Sequence, residues 1–133
     1  MSEHLDIITT FLSLSQNLVV DNAAYARVLH PQIEQIEFPN LIHKTTQHRS
    51  FEDILDNLRA ARELLHDPYF TTQRILACAD GSVLVESHWE ATITNDIGPL
   101  LRGQRIASQI CAIYELEDNK IIQHRQYICY DKF

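Results

Sequence analysis

The chain has 133 residues, with 11 Lys and Arg against 18 Asp and Glu, and its formal net charge at pH 7 is -7. This length predicts a single domain over residues 1–133, and 45% hydrophobic and 22% charged residues are typical of a folded chain rather than a disordered one. The acidic balance argues against nucleic acid or an anionic membrane as a partner, because both attract clustered Lys and Arg. The sequence has no run of 18 apolar residues and no secretion-signal pattern at MSEHLDII, so a cytoplasmic protein is expected.

Three helices are predicted before residue 70. Residues 3–19 carry an apolar stripe at helical spacing, and Asp21 can cap a second, shorter helix that ends before Pro31. The third helix begins after Ser50, because a Ser followed three residues later by an acid fits a capping box. Its predicted end is at Asp67-Pro68.

Strands dominate the rest of the chain. A short strand is predicted at 29–39, residues 41–49 are polar and ambiguous, and four Thr-, Val-, Ile- and Tyr-rich strands follow at 70–79, 82–95, 104–117 and 120–130. Asp80-Gly81 and Asp118-Asn119 read as tight hairpin turns. Helices grouped before an antiparallel meander predict an α+β fold, with the helices packed on one face of a curved sheet.

The order of these elements resembles the nuclear transport factor 2-like superfamily. The residues that carry the resemblance are the Phe11…Leu18…Asp21 helix pair, LHPQIEQIEFP at 29–39, the Ser50-capped helix and IYELEDNKIIQHRQY at 113–127. Within the superfamily the chain looks most like the SnoaL-like group, whose relatives include ketosteroid isomerase, limonene epoxide hydrolase and scytalone dehydratase. The resemblance implies a cone in which N-terminal helices pack on a strongly curved, mainly antiparallel sheet around a pocket, often with dimerisation through the outer sheet face.

The pairing of the last two strands predicts which side chains face that pocket. If Asp118-Asn119 is a two-residue turn, Cys111 pairs with Gln126 and Ile113 with His124, and paired residues share a sheet face. Cys111, His124 and Gln126 are therefore expected to bind substrate. The other face would carry an apolar set that predicts a symmetric homodimer: Ile110, Ala112, Tyr114, Leu116 and Tyr127.

Alternation separates Trp89 from its neighbours His88 and Glu90 on the strand at 82–95. In the epoxide hydrolase relatives, a basic residue and a carboxylate two apart on this strand cooperate with a carboxylate on the last strand. His88 and Glu90 have that spacing, and we expect them to handle the proton of a substrate. Gln126 stands at the position of the last-strand carboxylate and cannot act as a base. There are two alternatives for His88 and Glu90. In the first they belong to a polar strand face that is exposed to solvent, and in the second they bind a metal ion together with His124, as two histidines and one carboxylate.

Two other departures from the family pattern concern the isomerase relatives. The position of the catalytic base in the isomerases aligns with Phe38 of this chain, and the position of their acidic hydrogen-bond donor aligns near Cys111. This chain therefore lacks both carboxyl groups. These differences argue against isomerisation through a dienolate by the catalytic groups of the isomerases.

Two functions remain open from the sequence. The first is a protein that binds a small, mostly apolar organic molecule and catalyses a cofactor-free isomerisation, cyclisation, dehydration or hydrolysis. In that hypothesis His88 and Glu90 are catalytic, Tyr25 donates a hydrogen bond, and Trp89 forms a pocket wall. The second is a noncatalytic ligand-binding or dimerisation module. Neither hypothesis includes a cofactor or a bound metal.

Overall fold

The computed structural model describes residues 2–131, with side chains from residue 3 onward. The helices are α1 (Ser2–Gln16), α2 (Asn22–Ala26) and α3 (Phe51–Leu64). The strands are β1 (Leu29–Glu37), β2 (Gln47–Arg49), β3 (Leu65–Ala77), β4 (Val83–Ile93), β5 (Arg105–Glu117) and β6 (Lys120–Tyr130). Within this part of the chain, no helix has the length and apolar character to cross a membrane.

The capping box predicted at Ser50 is present. The Ser50 hydroxyl accepts a hydrogen bond from the Asp53 backbone N–H at 3.3 Å, and the Asp53 carboxylate accepts one from the Ser50 N–H at 3.1 Å. Two of the four free N–H groups at the start of α3 are thus satisfied. The helix ends at Leu64, earlier than predicted, because Leu65 is already extended and pairs with Ile93 as the first residue of β3.

The sheet has the strand order β2-β1-β6-β5-β4-β3, in which β1 and β6 pair in parallel and the other neighbouring strands pair antiparallel. The predicted α+β architecture, helices followed by a curled and mainly antiparallel sheet, is confirmed. The sequence does not mark strand β2, because Gln47–Arg49 has no apolar alternation.

A β-bulge in β6 shifts the register of its pairing with β5. Leu116 pairs with Ile121 as predicted, but Glu115 pairs with Gln123, so Ile122 is an extra residue. Beyond the bulge, each residue of β6 pairs one position further along β5 than predicted. His124 pairs with Tyr114 rather than Ile113, and Gln126 pairs with Ala112 rather than Cys111.

This shift corrects the predicted faces of β5. The side chains of Ile110, Ala112 and Tyr114 lie on the concave side with His124, and Cys111 lies on the convex side with Tyr127. A slip of one residue exchanges the two faces of a strand.

The main core lies between the helices and the concave face of the sheet. Fully buried side chains from α1, α2 and α3 pack there against β4, β5 and β6, among them Ile8, Tyr25, Leu55, Val83, Tyr114 and Ile121. A smaller cluster of Ile93, Leu100 and Ile106 closes the far end of β4 and β5.

Candidate functional site

A cavity of about 510 Å³ lies between the helices and the concave face of the sheet. Most of its lining is apolar and comes from α1, α3 and strands β3 to β6, including Leu12, Leu58, Phe70, Val85, Trp89 and Ile110. Its size and lining are those of a small-molecule site, which is usually mostly apolar with a few placed polar groups.

One wall of the cavity, formed by β1, β2 and β6, is polar. Arg49 Nη1 lies 2.9 Å from Glu37 Oε1, and both side chains are less than 10% exposed. The other oxygen of the carboxylate, Oε2, accepts a hydrogen bond from Asn40 Nδ2 at 2.8 Å. A buried charge is stable only when it is paired and hydrogen-bonded, and here each charge neutralises the other. We call Gln35, Glu37, Arg49 and His124 the polar wall.

The polar wall continues from the ion pair to a buried histidine. Arg49 Nη1 donates to Gln35 Oε1 at 3.2 Å, and Gln35 Nε2 lies 3.1 Å from His124 Nδ1. The His124 ring stacks on Tyr114, with ring centroids 4.3 Å apart, and meets the edge of Phe11. Burial, and then the positive charge of Arg49, lower the pKa of His124 to about 3, so the imidazole is neutral at physiological pH.

Two tyrosines line the cavity beside this wall. Burial raises the pKa of Tyr114. Burial also raises the pKa of Tyr130, the Glu37 carboxylate adds to that rise, and Arg49 opposes it. Both phenols are therefore protonated at neutral pH.

Three of the residues predicted to bind substrate line the cavity: Trp89, His124 and Gln126. Trp89 belongs to the apolar part, near Ile93 and Ile106. His124 and Gln126 share the concave face of β6 because they are two residues apart on one strand. Their roles toward a ligand remain predictions.

The predicted position of His88 and Glu90 in the pocket is wrong. Both side chains lie on the convex face of β4, where His88 Nε2 is 2.8 Å from Glu90 Oε2 and Arg105 Nε donates to Glu90 Oε1 at 3.0 Å. Gln109 Nε2 lies 3.2 Å from His88 Nδ1. The hydrogen bonds from His88 and then Arg105 lower the pKa of Glu90.

The physical reason is that alternation separates the faces of a strand but does not say which face is concave. On β4 the concave face carries Ser87 and Trp89, so His88 and Glu90 are separated from His124 by the sheet. The alternative of a metal set formed by His88, Glu90 and His124 fails for the same reason.

Cys111 and Tyr25 are also outside the lining of the cavity. Cys111 lies on the convex side, where burial and then the Glu86 carboxylate raise the pKa of its thiol. Tyr25 is fully buried in the main core, and its hydroxyl donates to the Val19 carbonyl at 2.6 Å. Burial raises the pKa of Tyr25 to about 12. Its hydrogen bond is used inside the fold, at the connection between α1 and α2.

Sequence reasoning missed Gln35, Glu37 and Arg49. The available signal was the spacing of Ile33, Gln35 and Glu37, since residues two apart on a strand share a face. Ile36 and Phe38 alternate with these residues and are apolar, so hydrophobicity alone does not mark the face of Gln35 and Glu37 as the buried one. Arg49 had no comparable signal, because it belongs to the unpredicted strand β2.

In the described part of the chain, one group of potential metal ligands lies close together. Ligand atoms of His30, Glu117 and Asp118 all lie within 4.8 Å of one another. Both acids are exposed, and none of the three residues lines the cavity.

Comparison with known proteins identifies the family. The model of the SnoaL-like domain matches residues 19–124, and the chain belongs to this family. No curated protein matches the sequence.

Solved structures with the same fold share little sequence with this chain. IdmH, a putative polyketide cyclase from Streptomyces antibioticus, superimposes with a TM-score of 0.76 and 15% identity over 94% of this chain and 91% of that one. An LEH-like epoxide hydrolase from M. tuberculosis gives 0.66 and 23% identity over 98% of this chain and 84% of that one. A putative SnoaL-like polyketide cyclase from Jannaschia sp. CCS1 gives 0.76 and 11% identity, over 96% and 85%. At these identities the likeness shows the fold, and function has to be argued from the site.

Proposed function

We propose that this chain binds a small, mainly apolar organic molecule in the cavity on the concave side of the sheet. The observation that carries the proposal is a cavity of about 510 Å³ with a mostly apolar lining and a buried polar wall on one side. An apolar lining favours a hydrophobic molecule, and the polar wall offers hydrogen bonds that orient it.

The charge of the wall sets a further condition on the ligand. Arg49 and Glu37 are paired at 2.9 Å, and the low pKa of His124 keeps its ring neutral. A charged ligand would therefore lose its hydration without gaining an unpaired counter-charge. The arrangement favours a neutral molecule.

A second candidate function is a cofactor-free acid–base enzyme built on the same wall. The observation in its favour is that the Glu37 carboxylate and the neutral His124 imidazole both line the cavity. A carboxylate can accept a proton from a bound molecule, while a neutral imidazole donates a hydrogen bond to an oxygen that gains charge. The names of the relatives, polyketide cyclase and epoxide hydrolase, fit such a reaction.

Ligand binding can be tested with the chain's single tryptophan, which lines the cavity. A panel of neutral mono-, bi- and tricyclic compounds is titrated while Trp89 fluorescence is recorded, with confirmation by native mass spectrometry. Ala112→Leu, which adds bulk to the cavity wall, should abolish binding. Ala107→Leu is the matched control, because Ala107 lies on the opposite face of β5. Equal binding by both variants would refute the proposal.

Catalysis can be separated from binding with a compound found in that screen. If the protein is an enzyme, the wild type converts the compound. The double variant Glu37→Met/Arg49→Met, which removes the carboxylate without leaving Arg49 unpaired, should bind the compound but convert it at least tenfold more slowly. If the wild type returns the compound unchanged, the result contradicts the enzyme hypothesis and supports a noncatalytic binding function.

Of the residues predicted to form the homodimer surface, Tyr127 does lie exposed on the convex face. Ile110, Ala112 and Tyr114 face the cavity, so they cannot form an outer surface. The convex face instead exposes Tyr69, Leu76 and Tyr127, and we propose that a second copy covers them. Light scattering at micromolar concentration should give a mass near twice 15.4 kDa, and a monomer would contradict the proposal.

A further inference from the structure

The orientation of the Gln35 amide follows from its neighbour Arg49. A guanidinium group has only hydrogen-bond donors, so the atom of Gln35 that lies 3.2 Å from Arg49 Nη1 has to be the oxygen, Oε1. The amide nitrogen Nε2 then points at His124. Arg49 is itself held by Glu37 at 2.9 Å, which fixes the start of this chain of hydrogen bonds.

The amide orientation in turn fixes the protonation of His124. Gln35 Nε2 is a donor, so His124 Nδ1, at 3.1 Å, has to accept. A protonated Nδ1 would place two N–H groups against each other, which excludes both the Nδ1–H tautomer and the imidazolium ion. The stacking of the ring on Tyr114 and its contact with the edge of Phe11 hold the imidazole in place. The ring is thus neutral, with its proton on Nε2.

We propose that Gln35 is a positioning residue that makes His124 a hydrogen-bond donor, and that the cavity therefore selects neutral molecules carrying an acceptor oxygen, such as a ketone or ester carbonyl. The part about the ligand rests on the proposed binding function. Nδ1 is occupied by Gln35, so Nε2–H is the group of His124 that is left for a ligand. A carboxylate is disfavoured because the positive charge of Arg49 is already matched by Glu37.

The tautomer can be measured without any ligand. In protein labelled with ¹⁵N-histidine, long-range ¹H–¹⁵N correlation spectra distinguish a protonated ring nitrogen from an unprotonated one, and loss of signals in His124→Gln assigns the ring among the 7 histidines. The wild type should show an unprotonated Nδ1 and a protonated Nε2. A protonated Nδ1 at neutral pH would overturn the proposal.

Two substitutions of Gln35 test its control of the ring. Gln35→Glu replaces the amide donor with an acceptor, so His124 should move its proton to Nδ1 or carry two protons. Gln35→Met removes the donor without adding charge, and His124 should then become a mixture of tautomers. An unchanged His124 spectrum in a folded variant of either kind would overturn the proposal.

The chain offers a matched control on the other side of the sheet. Gln109 contacts His88 Nδ1 through its amide nitrogen at 3.2 Å, in the same way that Gln35 contacts His124. Gln109→Glu should alter the spectrum of His88 and leave His124 unchanged. A change at His124 in this variant would show that the ring responds to general charge rather than to its own partner, which would contradict the proposal.

The ligand class is tested with decalone, decalin and decalin carboxylate, which differ only in the acceptor group. Trp89 fluorescence should show that the ketone binds about tenfold more tightly than the other two, the ratio expected for one well-placed hydrogen bond. Gln35→Glu should remove this preference. A preference for the carboxylate would overturn the ligand class. If none of the three binds, the proposed function and the ligand class fail together, and the tautomer result stands separately.

Discussion

Glu37 and Arg49 form an ion pair with 2.9 Å between Oε1 and Nη1, although less than a tenth of either side chain is exposed. The two residues belong to neighbouring strands, since Arg49 pairs with Gln35 and Gln47 with Glu37 across the β1–β2 ladder. The pair therefore joins the three-residue edge strand β2 to the sheet and at the same time forms the polar wall of the cavity.

Removing one member of this pair should strongly destabilise the fold. Glu37→Ala leaves the Arg49 guanidinium buried without its counter-charge, and the free energy of unfolding should fall by about 3–5 kcal/mol. Urea denaturation measures the loss. The double variant Glu37→Met/Arg49→Met removes both charges and should recover most of the stability.

The control for that experiment is an ion pair of similar length on the surface. Arg59 and Asp56 lie 2.9 Å apart on α3, and at least half of each side chain is exposed. Asp56→Ala should leave the urea midpoint nearly unchanged, because solvent screens such a pair. If Glu37→Ala and Asp56→Ala lower the free energy of unfolding equally, the buried ion pair contributes no more to stability than the exposed one, which would contradict this prediction.

Acid should destabilise the protein through His124. Its pKa is about 3 when folded, against an ordinary value of 6.5, so between these values the unfolded chain binds the additional proton. Stability present above pH 6.5 is therefore lost as the pH falls toward 3, by up to about 1.4 kcal/mol per pH unit. Among the charged groups, Arg49 lowers this pKa, and Arg49 is itself paired with Glu37, which also lies 3.9 Å from His43.

Urea unfolding at a series of pH values checks this dependence. His124→Gln should have a shallower slope between pH 6 and pH 4 than the wild type. His66→Gln, at an exposed histidine, should keep the wild-type slope. Identical slopes for all three proteins would show that His124 is not held neutral by the fold.

Tyr25 should matter for stability and not for the ligand. Tyr25→Phe keeps the ring contact with Phe11 but removes the 2.6 Å hydrogen bond to the Val19 carbonyl. The expected loss is about 1 kcal/mol by urea unfolding, with the affinity for a cavity ligand unchanged. A large loss of affinity at unchanged stability would instead support the substrate contact first predicted for this residue.

Neighbouring residues of β4 should have opposite effects on binding. Trp89→Ala removes part of the cavity wall and should weaken ligand binding about tenfold or more. His88→Ala and Glu90→Gln change the convex face and should leave binding within twofold of the wild type. Calorimetry is the suitable measurement, because Trp89 is the fluorescent reporter in the other experiments. Weaker binding in His88→Ala would point to a ligand on the convex side.

The parts of the fold that follow local rules could be predicted from the sequence. Ser50 and Asp53 marked the start of α3, and the turn at Asp118-Asn119, where both residues have positive φ, placed β5 against β6. The alternation in β4 also separated Trp89 from His88 correctly. In each case the information lies within a few residues of the feature.

The site depended on information that is not local. One extra residue in β6, Ile122, moved Cys111 out of the cavity and Tyr114 into it, and nothing in the sequence marks the bulge. The choice between the faces of β4 depends on where the helices pack, which decides that His88 and Glu90 point away from His124. The contact between Gln35 and His124 joins residues 89 positions apart.

Binding of the ligand inside the cavity is tested most directly by mapping chemical-shift changes in ¹⁵N-labelled protein as decalone is added. The largest changes should occur at concave residues that line the cavity, above all Trp89, Ile110 and His124, with His124 Nε2–H moving as it meets the carbonyl oxygen. Changes centred on His88, Glu90 and Gln109 would place the ligand on the convex face and contradict both the proposed function and the role of Gln35.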